Sequence, residues 1–147
     1  MSGLIITQDN TNIEIDLNDG NGFVELPCAT TVDRGTTQVN RVVTTCLSSP
    51  PGTAEYSNGS VTYGEGSLVY NADLAAAVHQ HFLQNEGSAL PIQLRATVTD
   101  NSVTPARSMV ATTSFLIGGV SDPIAFDSIY THTIGIQRTG ETVFAFA

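Results

Sequence analysis

Three histidines, two cysteines and a few neighbouring carboxylates are the residues of this chain whose types could do chemistry, and their spacing argues against it. His79 and His81 stand two apart in a segment that reads as helix, so they face different ways. A helical metal pair needs the i, i+4 step. The expected state is a solvated helix surface with one ring partly packed. His132 falls in the middle of an extended run with no carboxylate or cysteine beside it. Cys28 and Cys46 are too few for a disulfide framework, sit in no metal-ligand cluster, and do not reveal by spacing whether they pair. Gly64-Glu65-Gly66 and Gly118-Gly119 lack the lysine and the spacing of a phosphate loop and read as turns. Asp122 and Asp127 read as loop and strand-end residues rather than as a working carboxylate pair. The expectation is a chain with no catalytic, cofactor or metal site.

Charge narrows the class further. Fourteen acids face five bases in 147 residues, a net charge of −9, and every base is an arginine: 34, 41, 95, 107 and 138. Gripping nucleic acid requires lysines and arginines that displace counterions from phosphates. A surface that nucleic acid passes without sticking remains compatible with this composition. The N-terminal residues carry neither the basic stretch nor the apolar core of a secretory signal, and no apolar run approaches the ~20 residues of a membrane helix. The expected site of synthesis is a cytoplasm, with both thiols reduced. Asn58-Gly59-Ser60 is then a turn rather than a glycosylation site.

The elements that would position these residues are mostly strands. Ile13, Ile15 and Leu17 alternate with Glu14 and Asp16, which gives Glu14 and Asp16 one common face. Asp19-Gly20-Asn21-Gly22 turns the chain, and residues 23–26 return as the partner strand. Residues 30–47 read as two strands or one bent one. Ser48-Ser49-Pro50-Pro51-Gly52 then opens a polar loop over about 48–60. Ser60–Tyr63 and residues 67–70 flank Gly64-Glu65-Gly66 as strand, turn, strand. One helix follows over about 72–86, with Asn71 as its N-cap, Asp73 in its first turn, Leu74, Val78 and Phe82 on one face, and Gly87 as its stop. Beyond it, 92–99 alternates, 108–117 forms a strand that Gly118-Gly119 breaks, and 124–138 runs extended until Thr139-Gly140 turns it into 143–146. The predicted fold is mainly β: a β-sandwich or part-open barrel with one flanking α-helix, in a single domain with a flexible N-terminal arm over about 1–10.

Over residues 60–140 this order of elements resembles the major tail tube proteins of long-tailed bacteriophages. The shared pattern is a polar strand ending in an apolar couplet (Gly66-Ser67-Leu68-Val69-Tyr70), a short helix (71–86), a strand pair with polar outer positions (92–100 and 108–117), and a long closing strand that ends at Thr139-Gly140. A departure from the family pattern is expected at the C-terminus, where no large appended domain is read. The resemblance implies a virion structural protein whose copies close into a ring, a hexamer, and whose rings stack into the hollow tail tube that delivers DNA. It implies as partners the chain itself, the tape measure, the terminator and the baseplate or tip, with DNA in transit and unbound, no membrane binding, and assembly in the host cytoplasm.

Under that reading the loop supplies inter-ring contacts, through Ser48, Ser49, Pro50, Pro51, Gly52, Glu55, Tyr56 and Asn58, and residues 2–10 supply a second contact. Glu14 and Asp16 are candidate acids of the lumen or of the outer surface. Deleting residues 48–57 should leave a folded chain that grows no tube. Replacing Asn71 by Ala should cost about 1 kcal/mol through the lost cap. The competing readings are a capsid decoration or tail-completion protein and a small β-sandwich binding module. The latter lacks an aromatic platform, since the chain has no tryptophan and four scattered tyrosines.

Overall fold

Period-2 alternation builds most of the molecule. The structure is a computed structural model and describes residues 3–46, 50–52 and 54–147. β1 (Thr11–Asp16) buries Ile15 and turns Glu14 and Asp16 to the other face, and β2 (Phe23–Glu25) pairs with it across the expected turn. β3 (Ala29–Asp33) and β4 (Thr37–Val43) follow, separated at Arg34-Gly35. Next come β5 (Tyr56–Tyr63), β6 (Glu65–Asn71), the helix α1 (Ala77–Gln84), β7 (Ile92–Asp100), β8 (Arg107–Ser121), β9 (Thr131–Arg138) and β10 (Val143–Phe146). One sheet runs in the order β2-β1-β7-β8-β9-β6-β3, with β10 also on β8. It stays unclosed, and its two halves share one core. Ile15, Leu17, Ile92, Leu94 and Phe115 come from one half; Leu68, Tyr70, Ile134 and Ile136 come from the other; Val78 and Phe82 of α1 complete it. The fold is mainly β with a flanking helix, as the sequence implied.

Four local expectations are corrected. Gly118-Gly119 does not end its strand: β8 continues to Ser121, and the register against β9 slips between Ile117 and Val120, so the extra residue is absorbed as a bulge. Residues 124–130 are not extended strand; β9 starts at Thr131. Thr139-Gly140 does not fold the chain back, because β9 and β10 lie end to end along β8, with Phe115 opposite Arg138 and Thr112 opposite Val143.

The fourth correction concerns the helix. It begins at Ala77, and Asn71 is the last residue of β6, opposite Thr131. Asp73 explains the delay: its side chain accepts the Ala75 N–H at 3.0 Å and its carbonyl accepts the Ala76 N–H. This local turn competes with helix over those residues. Leu74 therefore points to solvent at 70% exposure, and its place on the buried face goes to His79, 1% exposed. Gly87 does sit past the helix end with φ +73.

Candidate assembly surfaces

β3–β4 and β5–β6 form one long two-stranded ribbon with a break in the middle. Asp33 stands opposite Ser67 and Thr37 opposite Tyr63, so the register is continuous across the break. Inside the sheet the ribbon is β3 on β6; beyond the break β4 and β5 pair only with each other among the described residues. Glycines make the break possible. Gly35 has φ +82, and a Cβ there would collide with the Gly64 carbonyl, just as one on Gly66 would collide with the Asp33 carbonyl. The Asp33 carboxylate accepts the Gly35 N–H at 2.9 Å.

Arg138 pins this junction. Its guanidinium donates to the Gly35 carbonyl at 3.2 Å, to Thr37 Oγ1 at 2.7 Å and to Thr142 Oγ1 at 3.2 Å, and it lies 4.5 Å from the centre of the Tyr63 ring. Gln137 adds a bond from Nε2 to the Tyr63 carbonyl at 2.8 Å. Nothing in the sequence marked Arg138 beyond its place near a strand end, because two of its partners, Gly35 and Thr37, lie about a hundred residues away in the chain.

Beyond the junction every residue of β4 and all but Tyr63 of β5 are exposed. Alternation divides the arm into two faces. Val39, Arg41 and Val43 share one, with Val61, Asn58 and Tyr56 opposite them; Gln38, Asn40, Val42, Ser57, Ser60 and Thr62 occupy the other. There Asn40 Nδ2 donates to Ser60 Oγ at 2.9 Å. One face is thus largely apolar around a single cation, and the other is largely hydroxyl and amide. An isolated ribbon exposing Val39, Val42, Val43, Tyr56 and Val61 has the character of a surface awaiting a partner.

The inter-ring candidates map onto this arm unevenly. Tyr56 and Asn58 belong to strand β5, not to a loop, so the irregular segment ends before residue 56. Pro50, Pro51, Gly52 and Glu55 lie at the arm's exposed tip, where Thr44 N–H reaches the Glu55 carbonyl at 2.8 Å and Glu55 N–H reaches Thr45 Oγ1 at 2.8 Å. Ser48 and Ser49 lie outside the described residues.

Three further apolar surfaces surround the core. Residues 3–10 precede β1 without joining a strand, exposing Leu4, Ile5 and Ile6, and Asn10 ties them down through bonds to Thr7 and to the Ile5 carbonyl. Between this segment and β3 an open cleft of 790 Å³ is lined by Ile13, Val32, Ala96, Val98, Met109 and others. β10 exposes Val143, Phe144 and Phe146 and pairs on one side only among the described residues. At the far end of β8, residues 122–130 expose Ile124 at 88%, Phe126 at 95% and Ile129 at 72%. The sequence reading passed over this last segment because three apolar residues in a short run look like strand.

Glu14 and Asp16 are half-exposed on one face, as alternation requires. Neither is a bare charge. Arg95 holds Glu14 in a two-pronged ion pair, 2.9 Å from Nη2 to Oε2, and itself lies 4.1 Å from the centre of the Phe23 ring. Asp16 accepts the Asn18 N–H at 2.9 Å. Of the histidines, His79 goes beyond the partial packing expected of one helix ring, while His81 stays half-exposed. His79 is buried and stacked on Tyr70 at 3.9 Å, and His132 is buried with Nδ1 3.0 Å from the Tyr70 hydroxyl. They are structural rings, and no group of three potential metal ligands forms among the described residues.

A family profile described as "Phage tail tube, TTP, lambda-like" matches residues 5–147. No curated protein matches the chain by sequence. Among solved structures, the tail of an empty GTA particle refined with C6 symmetry superposes with a TM-score of 0.65 at 14% identity, over 96% of this chain and 99% of that one. The SPP1 tail tube gives 0.64 at 10% identity over 95% and 78%, and a protein of the anti-feeding prophage baseplate gives 0.61 at 8% identity over 99% and 97%. These superpositions cover nearly the whole chain, as does the profile over residues 5–147: the chain belongs to the lambda-like phage tail tube family and is a virion structural protein of the tail tube.

Proposed function

We propose that copies of this chain close into six-membered rings and that the β4–β5 arm carries each ring onto the next. The observation that carries this is the arm itself, a two-stranded ribbon with an apolar face and no packing partner among the described residues, fixed by Arg138 at its root. Unpaired sheet edges at β2, β3 and β10 suit closure by neighbours, which removes edges as a barrel does. The C6 symmetry of the GTA tail supports the ring number. Stacking by a head-to-tail contact gives an open filament, as a tube requires.

The tube's role is a conduit and involves no catalysis. DNA crosses it unbound, past surfaces with few cations, and its ends meet the tape measure, the terminator and the baseplate or tip. Assembly takes place in the host cytoplasm. Glu14 and Asp16 share the polar outer face of β1, next to the hydroxyls of Thr97 and Thr112, and this face is the candidate lumen wall. With Glu14 neutralised by Arg95, Asp16 carries more of the local negative charge.

The test replaces residues 38–62 by a short hairpin turn that joins Thr37 to Tyr63. Deleting 48–57, the cut suggested by sequence, would also remove Tyr56 and Ser57 from their pairing with Val43 and Val42. The shortened chain should keep its far-ultraviolet dichroism and form no tubes by negative-stain electron microscopy, while the full chain does. Tubes from the armless chain would overturn the arm's role, and compact trimers from the full chain would favour a capsid decoration protein.

A further inference from the structure

The arm of one copy needs a seat on another, and we infer that this seat is the loop of residues 122–130. The inference rests on the reading above, that the arm joins rings, and adds its receptor. The two surfaces lie at opposite ends of the same strands. β6 runs from Glu65, next to the arm's root at Gly64, to Asn71, opposite Thr131 where the loop ends. Its seven residues put about 20 Å between the arm's root and the loop. A protomer therefore presents arm and loop at different ends, which is the arrangement a head-to-tail stack needs.

Chemistry matches the two. The arm's apolar face offers Val39, Val43, Tyr56 and Val61 around Arg41, and Arg41 makes no ion pair among the described residues. The loop offers Ile124, Phe126 and Ile129 beside Asp122 and Asp127, with no base between Ser121 and Thr131. Apolar groups on both sides can be buried together, and the lone cation meets an acidic surface instead of being desolvated unpaired. Asp122 already accepts the Tyr130 hydroxyl at 2.8 Å, which leaves Asp127, at the loop's φ +59 corner, as the free carboxylate for Arg41.

Other surfaces fit the arm less well. The cleft beside residues 6–8 is lined by one acid, Glu25, and one base, Arg34, so it offers Arg41 no net negative charge, whereas the loop of 122–130 carries two acids and no base. β10 is apolar but carries no acid within its four residues.

The experiment measures the critical concentration for tube growth at about 0.1 M salt with the full chain. Phe126→Ser should raise it at least tenfold without changing the melting temperature, since Phe126 touches solvent and not the core. Arg41→Gln and Asp127→Asn should each raise it several-fold, and the double variant should be no worse than either single one, the signature of a direct pair. In a Cys28→Ser, Cys46→Ser background, Val43→Cys with Phe126→Cys should give an intermolecular disulfide ladder in oxidised tubes, and Phe126→Cys alone should not. Additive effects of the charge substitutions, or an unchanged threshold for Phe126→Ser with no ladder, would overturn the seat. If the armless chain is still unable to form tubes in that case, the arm's role survives and its receptor is another surface. Tubes from the armless chain would remove both.

Discussion

At the scale of single residues the instructive ones are His79, expected at most partly packed on a solvated helix surface, and His132, read only as mid-strand, both of which lie in the core. Asp73 N–H can only donate and the Pro27 carbonyl can only accept, and His79 meets them at 2.9 Å through Nδ1 and Nε2 respectively. The ring is therefore neutral with its proton on Nε2. His132 sits between Tyr70 and Tyr130, and its Nε2 is buried with no partner among the described residues. Burial pushes its pKa below the ordinary histidine value, against a smaller opposing pull from Asp122. The unfolded chain then binds this proton more readily than the folded one, so stability rises with pH in that window. It should be complete above about pH 7, fall as pH drops through the unfolded value near 6.5, and level off below the folded value. Urea unfolding at a series of pH values between 8 and 4 would show this slope, and His132→Gln should flatten it. An equal slope in the variant would assign the dependence to other groups. Sequence could not show this because Tyr70, His79 and His132 meet only when β6, α1 and β9 pack. Spacing along one helix says nothing of a ring supplied by a strand.

At the scale of elements, strands were legible where one face is dry and the other wet, as in β1 and β7, since alternation is a direct trace of burial. It failed where neither face is buried. β4 throughout and β5 up to Thr62 are exposed, so the arm read as part strand and part loop, and Tyr56 and Asn58 were assigned to the wrong side of the boundary. The helix start failed for another reason: Asn71 and Asp73 are both good cap residues by type, yet the N-cap is Ala76 without a side-chain bond, and Asp73 instead closes a turn ahead of it through the Ala75 N–H. Asp73→Ala should thus cost about 1 kcal/mol in a denaturant melt, the usual net worth of one hydrogen bond, by loosening the turn that leads into the helix. Asn71→Ala should fall within about 0.5 kcal/mol of wild type, as ordinary surface changes do. The reverse order of costs would restore Asn71 as the residue that starts the helix.

At the scale of the whole molecule, two terms oppose one another in assembly. Every copy brings a net charge of −9, so bringing copies together is repulsive at long range. Against this stand four apolar surfaces: residues 4–6, the arm, residues 124–129 and β10. Burial of such surface is worth roughly 25 cal/mol per Å² and is insensitive to simple salt, whereas repulsion between exposed charges is screened as the Debye length shrinks from about 10 Å at 0.1 M to about 3 Å at 1 M. The Arg41–Asp127 pair weakens with salt as well, but it is one pair against the repulsion of whole acidic subunits, and exposed pairs are worth at most about 1 kcal/mol. Tube growth followed by light scattering should therefore speed up, and its threshold concentration fall, as sodium chloride rises from 20 to 300 mM. Slower growth with added salt would mean that attraction between opposite charges, rather than apolar burial, holds the rings together, and would shift the weight of the interface from Phe126 and its neighbours to the few arginines of the chain.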